Sequence, residues 1–270
     1  MRYRIIAITV IVCAFFVFVT QHHSQPVQQL IYTPSLEDKS SPDTESTPLQ
    51  TISPEHQTPL QAQNHQEPTI LSTNETSPAS VNVDMTYISE APDGNWSGSW
   101  KNGCEEAAIA MVEYYYAGLR NPSIEDTKAF MQTLFDAQQA QYGSDANSNS
   151  ERNLWMIENY TNFNAHIVEN PTVSMIKDEI RAGRPVIALH HGFDLGNKNI
   201  PFLATGSSYH ATVVTGYDDI YQEWIVHDTG DTHTGDGHRY HYDTYMNSLH
   251  DYSYDTQLAD GPAVVLFTSP

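Results

Sequence analysis

A single cysteine, Cys104, lies outside the apolar start of this 270-residue chain, the other being Cys13 within that start. No disulfide can therefore form inside the folded part, which must hold together on its own packed core. Exported proteins ordinarily use cysteines in pairs, so a lone thiol in such a chain calls for another reason.

The chain reads as three stretches. Residues 1–20 open with Met-Arg-Tyr-Arg and continue as a nearly unbroken apolar run from Ile5 to Val19. Basic residues ahead of an apolar run mark a secretory signal or a membrane anchor. The run is shorter than the ~20 residues of a usual spanning helix, which favours a signal. No small-residue cleavage site follows it, which favours an anchor. Residues 21–80 are rich in Gln, Ser, Thr and Pro and poor in aromatics. They bury too little apolar surface to offset chain entropy, so a disordered linker is expected. Residues 81–270 hold all four tryptophans and are enough for one domain. With 33 acidic against 12 basic residues, the chain carries a formal net charge of −21. Nucleic acid and anionic membrane surfaces are thereby poor partners, and any membrane contact is left to residues 1–20.

Within 81–270 helical periodicity comes first and strand patterns second, which predicts an α+β fold of N-terminal helices packed on an antiparallel sheet. Asn102 reads as a helix cap with Glu105 completing a capping box. Cys104, Ala107, Ala108, Met111, Val112 and Tyr115 then share one face. Further helices are expected from Ser123, from Ser150 and over 171–182. Strands are expected at 165–168, 184–190, 210–217, 224–227 and 263–267.

A cysteine at a helix start, a histidine heading one strand (His210) and an aspartate ending the next (Asp228) match a thiol-nucleophile layout. The unpaired N–H groups of a helix start favour a thiolate, and an imidazole within reach favours it further. Glu105 and Glu106 oppose it unless they face solvent or capping amides. An acceptor on the far imidazole nitrogen fixes the tautomer; Asp228 is the candidate, with Asp218, Asp219 and Asp231 as competitors. The polar run 228–238 and His190, His191 and His241 contain metal-ligand residue types, but their spacing matches no EF-hand or zinc pattern. No metal and no cofactor are expected.

Four blocks carry a resemblance to a known family. They are Asn-Gly-Cys-Glu-Glu-Ala-Ala at 102–108, Gly-Arg-Pro-Val-Ile at 183–187, His-Ala-Thr-Val-Val-Thr-Gly-Tyr-Asp at 210–218 and Ile-Val-His-Asp at 225–228. Together they resemble the bacterial peptidase family thirty-nine-like domains, papain-fold relatives of the bacteriocin-processing peptidases, from about Val83 to Phe267. The resemblance implies a papain-like fold, Cys104 as nucleophile, His210 as general base and Asp228 as the orienting acid. It also implies a glutamine about six residues before the cysteine as an oxyanion donor. Gly98 holds that position here, and no Gln lies between Gln66 and Gln132. The Cys104 amide, helped by Asn102, Asn95 or Trp100, is the substitute. The expected function is an exported or membrane-anchored cysteine hydrolase, a monomer acting on a peptide or protein. The alternative is a catalytically weak or inactive papain-fold binding module on a stalk.

Overall fold

Seven strands form one sheet in the order β2-β7-β3-β4-β5-β6, with β1 pairing on β4, and every pairing is antiparallel. The structure, a computed structural model, describes residues 77–200, 208–230 and 233–270, all within a unit spanning Ile70–Pro270. The leader at 1–20, most of the linker at 21–80, and Asp231 lie outside the described residues. No helix among the described residues is long and apolar enough to cross a membrane.

In chain order the strands are β1 (Ser80–Asn82), β2 (Asn164–Glu169), β3 (Val186–His191), β4 (Tyr209–Asp218), β5 (Glu223–Asp228), β6 (His238–His241) and β7 (Val264–Ser269). The helices are α1 (Cys104–Tyr116), α2 (Ile124–Tyr142), α3 (Ser150–Tyr160), α4 (Val173–Arg181), α5 (Gly192–Leu195) and α6 (Tyr242–Asn247), with a 3₁₀ turn at Gly98–Asn102. The α+β order expected from the sequence is present.

Helix starts follow local chemistry. Ser123 caps α2 by accepting the Asp126 amide at 3.0 Å. Thr172 caps α4 through the Met175 amide at 3.3 Å. Asn149, not Ser150, caps α3, taking the Arg152 amide at 3.0 Å, while the Ser150 hydroxyl bonds Asp251 instead. The expected Asn102 cap is corrected: Asn102 ends the 3₁₀ turn, Gly103 occupies the cap position, and no side chain caps α1.

Two apolar clusters lie on opposite faces of the sheet, and strand alternation sorts residues between them. Ile187, Leu189, Ala211, Val213 and Leu266 join α1, α2 and α3. Val186, Ala188, Val214, Val226 and Val265 join α4 and α6 around Trp224, which is fully buried. Because both faces are covered, β4 is buried along its whole length and β3 up to His190, polar residues included. Helix α1 departs from the expected single apolar face. It is buried on every side from Cys104 to Tyr114, both flanking glutamates included.

The ladder register shifts between Val214 and Gly216, where β1 approaches β4 closely. A Cβ at Gly216 would sit 2.5 Å from the Val81 carbonyl oxygen and 2.7 Å from Asn82 Oδ1. Gly216→Ala must therefore push β1 off the sheet, at a cost of about 1–3 kcal/mol. Hydrogen exchange should show protection lost at 80–83 and retained in β3 and β5. Unchanged protection at 80–83 would contradict this steric account.

Candidate active site

The first residue of α1 carries the thiol. Cys104 is 3% exposed, and Gly103 before it meets two neighbours: a Cβ there would lie 3.0 Å from Phe135 Cζ and 3.2 Å from the Glu90 carbonyl oxygen. This tight fit brings the extended segment at 83–92 against the start of α1. The segment is clasped from the other side too. Val83 donates to the Thr215 carbonyl at 2.7 Å and Glu90 to the Thr229 carbonyl at 2.9 Å. The Tyr87 hydroxyl donates to the Asp228 carbonyl at 2.9 Å.

Strands β4 and β5 supply the other two residues. Thr212 pairs with Asp228 across the ladder, which sets the imidazole of His210 beside the Asp228 carboxylate. His210 Nε2 and Asp228 Oδ1 are 2.7 Å apart, and both side chains are fully buried. With Nε2 committed to Asp228, Nδ1 is the nitrogen available to serve Cys104. A carboxylate oxygen of Glu90, Cys104 Sγ and a ring nitrogen of His210 all lie within 4.8 Å of one another.

Asp228 is held by more than the histidine. It accepts from the Gly230 amide at 3.2 Å, from Asn197 Nδ2 at 3.2 Å and from the Tyr240 hydroxyl. Burial works to raise its pKa, but the charge and hydrogen bond of His210, with the Tyr240 and Gly230 donors, win and hold it well below the usual carboxylate range. The competing acids are engaged elsewhere: Asp218 with Arg239 at 3.3 Å, and Asp219 with Lys177.

The thiol's surroundings are acidic. Its S–H donates to Glu105 Oε2 at 2.9 Å. Burial first, then the charges of Glu105 and Glu90, push the Cys104 pKa well up, while the Ala211 amide works weakly against them. Neither glutamate points to solvent. Glu105 accepts the Ser148 amide at 2.6 Å and its own backbone amide; Glu106 accepts its own amide and the Gln138 side chain. Both thus serve amides that the helix macrodipole would otherwise offer to the thiolate. Burial and the neighbouring acids favour the neutral thiol at rest.

The expected oxyanion helpers lie differently. Asn95 is exposed and accepts from the Ser97 hydroxyl at 2.7 Å. Trp100 packs edge-on against Phe135 at 5.2 Å, with the Lys128 ammonium 5.1 Å from its ring centre. Asn102 is half-buried in the 3₁₀ turn. The side chain that does reach the thiol, Glu90, was not singled out in the sequence; nor were Tyr240 and Asn197. The Glu90–Cys104–His210 cluster brings a carboxyl, a thiol and an imidazole together.

The family model of the Peptidase_C39 like family matches residues 57–259. The chain belongs to the Peptidase_C39 like family. Among solved structures it is similar to a protein described as a C39-like peptidase from Bacillus anthracis, with 12% identity and a TM-score of 0.46 over 72% of this chain and 99% of that one. It is also similar to xylellain, a cysteine protease from Xylella fastidiosa, with 13% identity and a TM-score of 0.43 over 70% of this chain and 85% of that one. No curated protein matches the chain.

Proposed function

We propose that this chain is an exported or membrane-anchored cysteine peptidase in which Cys104 attacks, His210 accepts and returns the proton, and Asp228 orients the imidazole. The observation that carries the reading is the buried 2.7 Å pair of His210 and Asp228 with the Cys104 sulfur within 4.8 Å of the imidazole. Because the resting thiol is neutral, His210 deprotonates it as the substrate arrives, as a general base does for a serine. The sulfur–carbon bond forms as the carbonyl π pair moves onto oxygen. Collapse expels the amine, which takes its proton from His210, and water then hydrolyses the thioester. The apolar leader at 5–19 supports export, the substrate is a peptide or protein, and the enzyme works as a monomer without nucleic acid.

The test is hydrolysis of casein before and after alkylation. Iodoacetamide should modify Cys104 stoichiometrically, at a rate that keeps rising with pH, and hydrolysis should vanish in step. Activity surviving full alkylation would sink the proposal. The neutral thiol and the closed site favour a second reading, a binding module with a silent pocket. Saturable peptide binding by the unmodified protein with no cleavage would support that one.

A further inference from the structure

A buried acid remains that the three-residue mechanism does not use. Glu90 is 1% exposed, and its Oε1 is fully buried without a hydrogen-bond partner among the described residues. An orphaned carboxyl oxygen in a closed site is costly, and such groups persist where a ligand completes them. Its backbone is held rigidly by the Thr229 carbonyl and by contact with Gly103. Its side chain places a carboxyl oxygen within 4.8 Å of the Cys104 sulfur, the atom beside which an oxyanion forms.

We propose that the carboxyl group of Glu90, in its protonated form, donates the oxyanion hydrogen bond to the tetrahedral intermediate on Cys104. The proposal rests on the peptidase reading above. The intermediate's oxygen carries the pair displaced from the carbonyl when sulfur attacks. Glu90 shares its proton with that oxygen and keeps it; on collapse the pair returns to carbon and the hydrogen bond relaxes. The backbone amide of Cys104, at the start of α1, is the partner donor. An ionised Glu90 would repel the same oxygen.

The surroundings favour the neutral acid. Facing it from α1 are Cys104, Glu105 and Glu106, from β5 Asp228, and from β4 His210. Burial first, then the charges of Glu105, Asp228 and Glu106, push its pKa well above the carboxylate range. A carboxylic acid kept neutral by its site is a recognised way to build an oxyanion donor.

The experiment compares wild type with Glu90→Gln and Glu90→Ala on casein across pH, with infrared spectra of the resting proteins. Glu90→Gln keeps a neutral donor of the same shape. It should retain kcat within about tenfold, and any fall in the wild-type rate with rising pH that comes from Glu90 ionisation should be absent from it. Glu90→Ala, folded by circular dichroism, should lose about 10²–10³-fold in kcat, the usual cost of one oxyanion donor. The wild-type minus Glu90→Gln infrared difference at neutral pH should contain a protonated-carboxyl stretch. Absence of that band overturns the proposal whatever the activity. So does a Glu90→Ala enzyme as fast as wild type, or an alkaline limb that persists in Glu90→Gln. If Cys104 alkylation spares hydrolysis, it is the peptidase reading that fails.

Discussion

Cys104→Ala should reduce peptide hydrolysis by about 10⁵–10⁶-fold, since removing the nucleophile of a cooperating triad costs nearly as much as removing the whole triad. The fold should survive. The thiol's polar contacts are with the Glu105 and Glu90 carboxyl groups and, weakly, with the Ala211 amide, so the loss in stability should stay within about 1–2 kcal/mol. Loss of the S–H also relieves nothing on Glu105, whose carboxylate keeps the Ser148 amide. Steady-state hydrolysis and a urea titration check both halves. A variant within tenfold of wild-type activity would mean that the nucleophile is another residue.

Asp228 variants should show the second large effect, on rate and stability together. Asp228→Asn keeps the shape but presents the wrong partner to His210, and a loss of about 10⁴-fold in kcat is expected. Asp228→Ala goes further. It strands His210 Nε2 and the Tyr240 hydroxyl proton in a site without solvent, while Asn197 Nδ2 keeps only the Tyr240 oxygen, at 2.9 Å. Breaking a buried charged network from one side costs about 3–5 kcal/mol.

The pH dependence follows from the sign of the shift. The folded pKa of Asp228 lies below its ordinary value, so at low pH the unfolded chain binds a proton that the folded one refuses. The stabilisation is present above the ordinary carboxylate pKa of about 4 and is lost as pH falls through the depressed value. The advantage of wild type over Asp228→Asn in urea should shrink on acidification below about pH 4. A gap that stays constant from neutral pH into that range would show that the His210–Asp228 pair contributes no net stability.

Much of the site was legible as a string. Cys104 after a glycine and before a helical run, His210 heading an apolar strand and Asp228 ending the next are all local signals, and the structure brings the three together. The α+β order was legible for the same reason, because helical patterns dominate before Gly183 and strand patterns after it. What was not legible arises between residues far apart. The capping box failed because the 3₁₀ turn takes up Asn102 and leaves Gly103 to meet Phe135 and Glu90. Whether Glu105 and Glu106 face solvent or amides was open in the sequence; α1 is covered on every side, and both accept amides. Glu90 carried no signal, for a lone glutamate in an extended segment is ordinarily a surface residue.

By itself, then, the sequence determined that the folded part closes without a disulfide, that helices precede an antiparallel sheet, and which thiol, imidazole and carboxylate stand in catalytic order. Only the tertiary structure decided which acids surround the thiol. Tyr87 and Asp228 meet across 141 residues, and Glu90 reaches Cys104 because β1 docks on β4 at a glycine and Gly103 leaves room for its backbone. Periodicity along a chain records which face of an element is buried. It does not record which segment is laid over that face, and here the segment laid over the thiol carries a carboxyl group.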